Sequence, residues 1–242
     1  MATGEAHHGH HKIKLVIFPG ERKNGVGTTV GHIYVIGGKG ESYDMAGGPP
    51  PGKGSTGPGG HSAGVTPAGQ YVLGRQEHHT TQNWPMSVIP WGATLREHGG
   101  EIQYQIGGHW LDATGTHGKV TQAAVLWVKR SGAQLPFAQI VKEVRALPQF
   151  RLPGGSLKSS WDLNDFGKWS WNLLKNGGRS AYYIHTTPDD ESATATHKTF
   201  LLSQSHGCIH IRPSDRDDMA SKGYLKAGVE VQVKPYGIKG PP

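Results

Sequence analysis

Apolar residues in this chain come in short alternating runs, and most of those runs stop at or near a glycine. KIKLVIF at 12–18, HIYVIGG at 32–38, VTPAGQYVL at 65–73, EIQYQIGGHWLDA at 101–113, TQAAVLWVK at 121–129, YYIH at 182–185 and VEVQVKPY at 229–236 share this form. A period of two is that of a strand with one buried face. The 37 Gly and 16 Pro leave little room for long helices. Together these features predict a mainly β fold with a few short helices and much loop.

Turn signals divide the runs. Asn-Gly within ERKNGVG at 21–27 and Gly107-Gly108 within 101–113 are hairpin signals. SVIPWGATLR at 87–96 holds a further short apolar run. The Gly/Pro segment at 46–64 reads as a long surface loop inside one domain, rather than as a linker, because the strand before it is too short to be a domain alone. Two helices are expected in the middle of the chain. Phe137, Ile140, Val141, Val144 and Leu147 form one helical stripe, with Pro136 suited to its first turn. Leu163, Phe166, Trp169, Leu173 and Leu174 give a second stripe over 162–176, weakened by Gly167. Its tryptophans read as core more readily than as a groove lining. A third short helix is expected from Pro213 to about Met219, with Ser214 as N-cap.

Charge narrows the partners without choosing one. The 25 Lys+Arg against 18 Asp+Glu give +7, which suits nucleic acid, a membrane surface or an acidic wall polymer. No dense Lys/Arg run or aromatic-basic motif is present, so no nucleic-acid partner is expected. No apolar run approaches roughly 18 residues, so no membrane span is expected. The first residues, MATGEAHHGHHKIKLVIFPG, lack the apolar core of a secretory signal, which predicts a cytosolic protein or one exported by a route that reads no cleavable signal. The His-rich stretch at 7–11 reads as part of a solvated, disordered tail at 1–11, in preference to a divalent-metal site, because no Cys or carboxylate completes it.

Chemistry concentrates in SQSHGCIHIRPSD at 203–215, which holds the only cysteine, Cys208, and so excludes an internal disulfide. A lone buried thiol is usually an inert hydrophobe, but its neighbours here argue for a nucleophile. A catalytic thiol needs a base within reach and main-chain N–H donors for the developing oxyanion. Gly207 removes a side chain where a substrate carbonyl must approach the backbone. Ser205 and His206 add polar groups beside it. Ile209 and Ile211 alternate with His210 and Arg212, placing the motif on a strand. His185 closes its own apolar strand after Tyr183 and is favoured over His206 as the base.

These residues resemble the YkuD-type L,D-transpeptidases, cysteine enzymes that cross-link peptidoglycan. SHGCI is similar to the family's cysteine signature, YIH at 183–185 to its strand-borne histidine, VTPAG at 65–69 to its TPxG segment, and RPSD with KAGVEVQV at 226–233 to its closing helix and strand. The resemblance implies a YkuD-like β-sandwich or barrel forming a single catalytic domain at 12–242, with a large insertion at about 99–179. It implies Cys208 as nucleophile, His185 as base, and an oxyanion hole from the N–H groups of Gly207 and Cys208. A main-chain carbonyl at Thr186 would be the third member. Tyr183, Ser205, His206, His210 and Arg212 are the expected substrate-binding set, with no metal and no other cofactor.

Three departures from the family pattern stand out. His210 occupies the place where the family usually carries Arg, with Arg212 two residues further on. The separation between His185 and Ser205 is long, and ESATATHK at 191–198 is expected to form an enlarged lid. The middle segment carries Trp110, Trp127, Trp161, Trp169 and Trp171, which would wall a groove or meet a partner.

The implied activity is acyl transfer on peptidoglycan stem peptides: L,D-transpeptidation, D-amino-acid exchange, or L,D-carboxypeptidase cleavage when water accepts. The implied site of action is the periplasm or cell wall. With no visible signal, the expectation is a secreted antibacterial effector, exported by a specialised secretion machine and matched by an immunity protein. A wall-maintenance enzyme is the plainer alternative. The rival from another class is a non-catalytic, His-rich metal- or wall-binding protein.

Overall fold

Leu15, Ile17, Ile33, Leu73, Ile184, Ile209, Ile211 and Val231 have essentially no exposed surface. They come from every part of the chain and meet in one interior. The computed structural model describes residues 12–23, 29–53, 64–81, 84–113 and 155–241. Within them the alternating runs become strands β1 (Lys14–Lys23), β2 (Thr29–Ile36), β3 (Ser42–Ala46), β4 (Gly69–Glu77), β5 (Leu95–His98), β6 (Glu101–Ile106), β7 (His109–Asp112), β8 (Ser170–Lys175), β9 (Gly178–His185), β10 (Ile209–Ile211) and β11 (Glu230–Val233). Two short helices accompany them, α1 (Pro188–Ala195) and α2 (Pro213–Ser221). The mainly β expectation therefore holds.

Eight strands close a barrel in the order β1-β11-β4-β8-β9-β10-β3-β2. Closure leaves no unpaired edge among these strands. Pairing is antiparallel except at β1–β11 and β9–β10. A parallel pair needs a long crossover, and residues 186–208, which include α1, supply it between β9 and β10. That crossover carries the chain from His185 back to Cys208. Tyr43, Met45, Tyr71, Trp171, Leu173 and Val233 complete the interior, each contributing on the order of 1.5–3 kcal/mol by leaving water.

A smaller sheet, β5-β6-β7, stands beside the barrel strands. Its core joins Val88, Ile89, Leu95, Ile102, Tyr104, Ala113 and Trp161. The β6–β7 hairpin turns on Gly107 and Gly108, both with positive φ, as the sequence signal required. Asn164, fully buried, ties this region to the barrel. Its amide donates to the carbonyl of His79 at 2.7 Å, and its Oδ1 accepts from Ser87 Oγ at 3.1 Å and from Phe166 N at 2.8 Å.

The helix expected over 162–176 does not form. Trp171 and Leu173 alternate into the barrel as β8, and Asn176 and Gly177, both at positive φ, turn the chain into β9. The period of two overrides the helical stripe because Asn-Gly closes a tight hairpin directly after it. The last part of the 99–179 segment is therefore barrel strand. Ser214 is not the cap of α2. Arg212 occupies that position without a side-chain hydrogen bond, and Pro213 begins the helix. The stretch expected as a lid at 191–198 begins within α1, whose N-cap is Thr187, accepting from Asp190 N. The expected helix at 137–147, the strand at 121–129, Trp127 and the His-rich tail lie outside the described residues. No helix among the described residues is long and apolar enough to cross a membrane.

Candidate active site

Strand register brings the two key residues to one face. β10 lies parallel to β9 with Ile209 opposite Ile184 and His210 opposite His185. Ile184, Ile209 and Ile211 point into the barrel. By alternation Tyr183, His185, Cys208 and His210 share the outer face. Cys208, the residue just before β10, thus falls level with Tyr183, two residues from His185 along the neighbouring strand. His210 falls on the same face as Cys208, because residues two apart on a strand share a face.

Cys208 is half-buried. Its Sγ lies 3.9 Å from the carbonyl oxygen of Ala181, toward the start of β9. Burial pushes the thiol up to about 12, opposed only weakly by the Tyr183 backbone N–H. No cation offsets that burial, so the thiol is protonated at neutral pH.

His185 is only 4 % exposed. Its Nδ1 lies 2.7 Å from the Thr186 carbonyl oxygen. A carbonyl can only accept, so Nδ1 carries the proton and Nε2 keeps its lone pair. Burial, with the nearby His210 and His79, holds its pKa well below the ordinary imidazole value, against the Thr186 bond. Phe166 packs on its ring at 4.7 Å and His210 meets it edge to face at 4.7 Å.

The Gly207 turn is built around close approach. Its φ is +115°, and a Cβ there would lie 2.8 Å from the Tyr182 ring and 3.1 Å from the Val65 carbonyl oxygen. Ser205, 1 % exposed, fastens the turn: its Oγ accepts from Gly207 N at 3.0 Å and donates to the Cys208 carbonyl at 2.5 Å. The Gly207 N–H is therefore already engaged within the loop. The TPxG-like segment braces it from below, since Thr66 Oγ1 accepts from Gly48 N at 2.9 Å, and a Cβ on Gly48 would fall 3.0 Å from Gly207 N.

The remaining expected residues take different places. Tyr183 is buried against His79 and Phe166 on that same outer face, its hydroxyl accepting from Arg179 Nη2 at 3.1 Å. His206 meets Trp84 edge to face at 4.9 Å. His210, 8 % exposed, bonds the Ser203 carbonyl through Nδ1 at 2.9 Å, and burial pushes its pKa down to about 4. Neutral and buried, it cannot replace a guanidinium as an anion-binding group. Arg212 donates to the Phe200 carbonyl at 3.1 Å and lines a cleft of about 350 Å³ with His32, Ser42, Tyr43, Asp44 and Asp215. Four residue steps of extended chain carry it roughly 13 Å from Cys208.

Phe166 and His79 lie close to His185, and Glu191 and Arg216 lie behind Thr186; sequence reasoning did not assign any of them to the site. Phe166 was read as part of a helical stripe and Glu191 as part of a lid. Among the described residues no group of three or more His, Cys, Asp or Glu is placed to hold a metal ion.

A buried neutral imidazole of fixed tautomer, a neutral thiol at the head of the next strand and a strained glycine turn suit nucleophilic acyl chemistry. Compared with known families, the chain matches the model of YkuD, the L,D-transpeptidase catalytic domain, over residues 26–233. No curated protein matches it.

Proposed function

We propose, from the premise that this chain belongs to the YkuD family of L,D-transpeptidase catalytic domains, that it carries out cysteine-dependent acyl transfer on peptidoglycan stem peptides. The observation that supports the reading is the parallel pairing of β9 with β10, which brings the strand ending in His185 beside the strand that follows Cys208, together with the Nδ1–Thr186 bond that makes Nε2 the acceptor nitrogen of the ring. His185 Nε2 takes the thiol proton as Cys208 Sγ attacks the carbonyl of the third stem residue. The tetrahedral oxyanion collapses, and the proton passes from His185 to the amine of the departing D-residue. The thioester is then opened by an amine of another stem, by a free D-amino acid or by water, with His185 taking the proton of the incoming group and returning it to the departing Cys208 sulfur.

In this reading the Cys208 N–H is the backbone donor to the oxyanion, and Gly207 serves by shaping the turn. His206 and Trp84 line the groove, while Tyr183 and His210 flank the pair on its own face and Ser205 holds the turn. The reaction calls on no cofactor.

Stem peptides lie outside the cytoplasmic membrane, so the proposed place of action is the periplasm or wall. Export by a specialised secretion machine, with an immunity protein guarding the producer, is the finer form of the proposal. A signal peptide encoded upstream of Met1 would overturn it.

The test is mass spectrometry of purified muropeptides incubated with the protein, with and without an added D-amino acid. Loss of the terminal D-residue, its replacement, or dimer formation is expected, each abolished in Cys208→Ala. Folded protein that leaves muropeptides unchanged would favour the wall-binding reading.

A further inference from the structure

The Thr186 carbonyl that fixes the His185 tautomer belongs to a peptide unit that is itself held from behind. Thr186 is fully buried, and its Oγ1 donates to Glu191 Oε1 at 2.6 Å. The same oxygen accepts from Lys168 N at 3.0 Å and is bonded by Arg216 Nη1. Arg216 is 3 % exposed and is gripped on its other side by Asp217 Oδ1, at 2.9 Å from Nε and 2.8 Å from Nη2. Gly167, at φ +62°, comes so close that a Cβ there would lie 1.9 Å from Thr186 Oγ1. The hydroxyl has one place to go.

Taking a guanidinium and a carboxylate out of water is costly unless both are fully bonded, and apolar residues can often fill such a site with no loss of stability. Packing α1 against α2 does not require this pair. What the pair does supply is direction. With the hydroxyl locked onto Glu191, the Thr186 backbone cannot rotate without breaking that bond, so its carbonyl stays aimed at Nδ1. Glu191 lies on α1, which starts just beyond Thr187, and Arg216 lies on α2, just beyond the cysteine strand. The two helices that flank the thiol and the imidazole are thereby locked to one peptide unit.

We propose that Glu191 and Arg216 are positioning residues for His185, acting through the hydroxyl and carbonyl of Thr186. The inference rests on the reading of His185 as the base that activates Cys208. Neither residue touches the thiol. Their effect is to hold one tautomer and one ring orientation, so that Nε2 faces the groove with its lone pair.

The test compares Thr186→Val, Thr186→Ser and Glu191→Gln with the wild type in three readouts: the rate of Cys208 alkylation by iodoacetamide across pH, the ¹⁵N resonances of the His185 imidazole, and thermal unfolding. Thr186→Val keeps the shape and loses the hydroxyl, while Thr186→Ser keeps the hydroxyl. Thr186→Val and Glu191→Gln are expected to slow alkylation near pH 8 roughly tenfold and to lose the single Nδ1–H tautomer, since small misplacements of a catalytic group cost up to about a hundredfold. Thr186→Ser is expected to remain within about twofold. Folded Thr186→Val or Glu191→Gln with unchanged alkylation and unchanged imidazole resonances overturns the proposal. So does unfolding of both, which would make the contact a structural one. A wild type inert toward stem peptides would defeat the proposed function, yet the alkylation and imidazole measurements would still judge this link.

Discussion

His185 and its own neighbour Thr186 are joined through Nδ1 and the main-chain carbonyl at 2.7 Å. The bond settles which ring nitrogen is protonated, and burial settles that the ring as a whole is neutral. Cys208, at the head of the adjacent strand, is neutral for the same reason. The pair is therefore uncharged in the free protein. Charge appears on it only when a substrate draws the proton across.

An uncharged pair has a kinetic signature. With the thiol pushed up to about 12, alkylation of free Cys208 by iodoacetamide should keep climbing through pH 9–10. A preformed thiolate–imidazolium pair would instead give a plateau that sets in below neutrality. Stopped-time mass spectrometry of the alkylated protein across pH 5–10 separates the two, and a plateau with an apparent pKa under about 7 would refute the neutral pair.

His210 is the natural competitor for the role of base, being on the same face and edge to face with His185. The two differ in support. His210 is fixed by the Ser203 carbonyl, whereas His185 sits beside Phe166 with its tautomer set by Thr186. His185→Asn should lower kcat on a stem tetrapeptide by on the order of 10²–10⁴. His210→Asn should cost about tenfold or less, through packing. A larger loss at His210 would reassign the base.

Gly207→Ala forces a side chain into φ +115° and against the Val65 carbonyl at 3.1 Å and the Tyr182 ring at 2.8 Å. The ring can swing aside, but the carbonyl is main chain. Backbone strain of this kind costs about 1–3 kcal/mol. The melting temperature should fall by several degrees and turnover should fall with it, because the same turn sets the Cys208 N–H. Unchanged melting and turnover in Gly207→Ala would show that the turn has no such role.

Asp190 is 4 % exposed, its Oδ2 has no hydrogen-bond partner, and burial pushes its carboxyl up to about 6. A carboxyl whose folded pKa is raised favours the folded state below its unfolded value near 4. That contribution is lost as pH rises through about 6. At pH 7.5 the folded protein holds a buried, desolvated carboxylate. Asp190→Asn should therefore raise stability at pH 7.5 by about 1–3 kcal/mol, with the gain shrinking toward zero near pH 4. Urea melts at the two pH values measure it, and a gain that grows on acidification would have the wrong sign.

The barrel strands were legible in the sequence because alternation maps directly onto a face buried in one interior. Leu15 and Ile17, Ile33 and Val35, and Val231 and Val233 are such pairs. β8 was misread because Phe166, Trp169, Leu173 and Leu174 match a helical stripe by chance of spacing, and the Asn176-Gly177 turn that arbitrates lies beyond it. Cys208 and His185 stood out in the sequence because a Gly-Cys turn and a histidine closing a strand leave local marks. Glu191 and Arg216 left none. Glu191 accepts from Lys168, Thr186 and Arg216, and only the packing of α1 and α2 brings these four together.

Asn164 offers a test of how the smaller sheet serves the site. It is fully buried, and its side chain satisfies the His79 carbonyl, the Ser87 hydroxyl and the Phe166 N–H at once. Two of those partners belong to the ring cluster on His185, since His79 and Phe166 lie 4.4 Å apart and Phe166 rests on the imidazole. Asn164→Ala strands several buried polar groups, at roughly 1–3 kcal/mol each before relaxation. It also frees Phe166 to move. The expectation is a loss of about 2–4 kcal/mol in urea unfolding, together with a fall in kcat that persists at temperatures where the variant remains folded. Intact kcat in a destabilised but folded variant would mean that Phe166 keeps its place on His185 without Asn164, and the smaller sheet would then contribute stability alone.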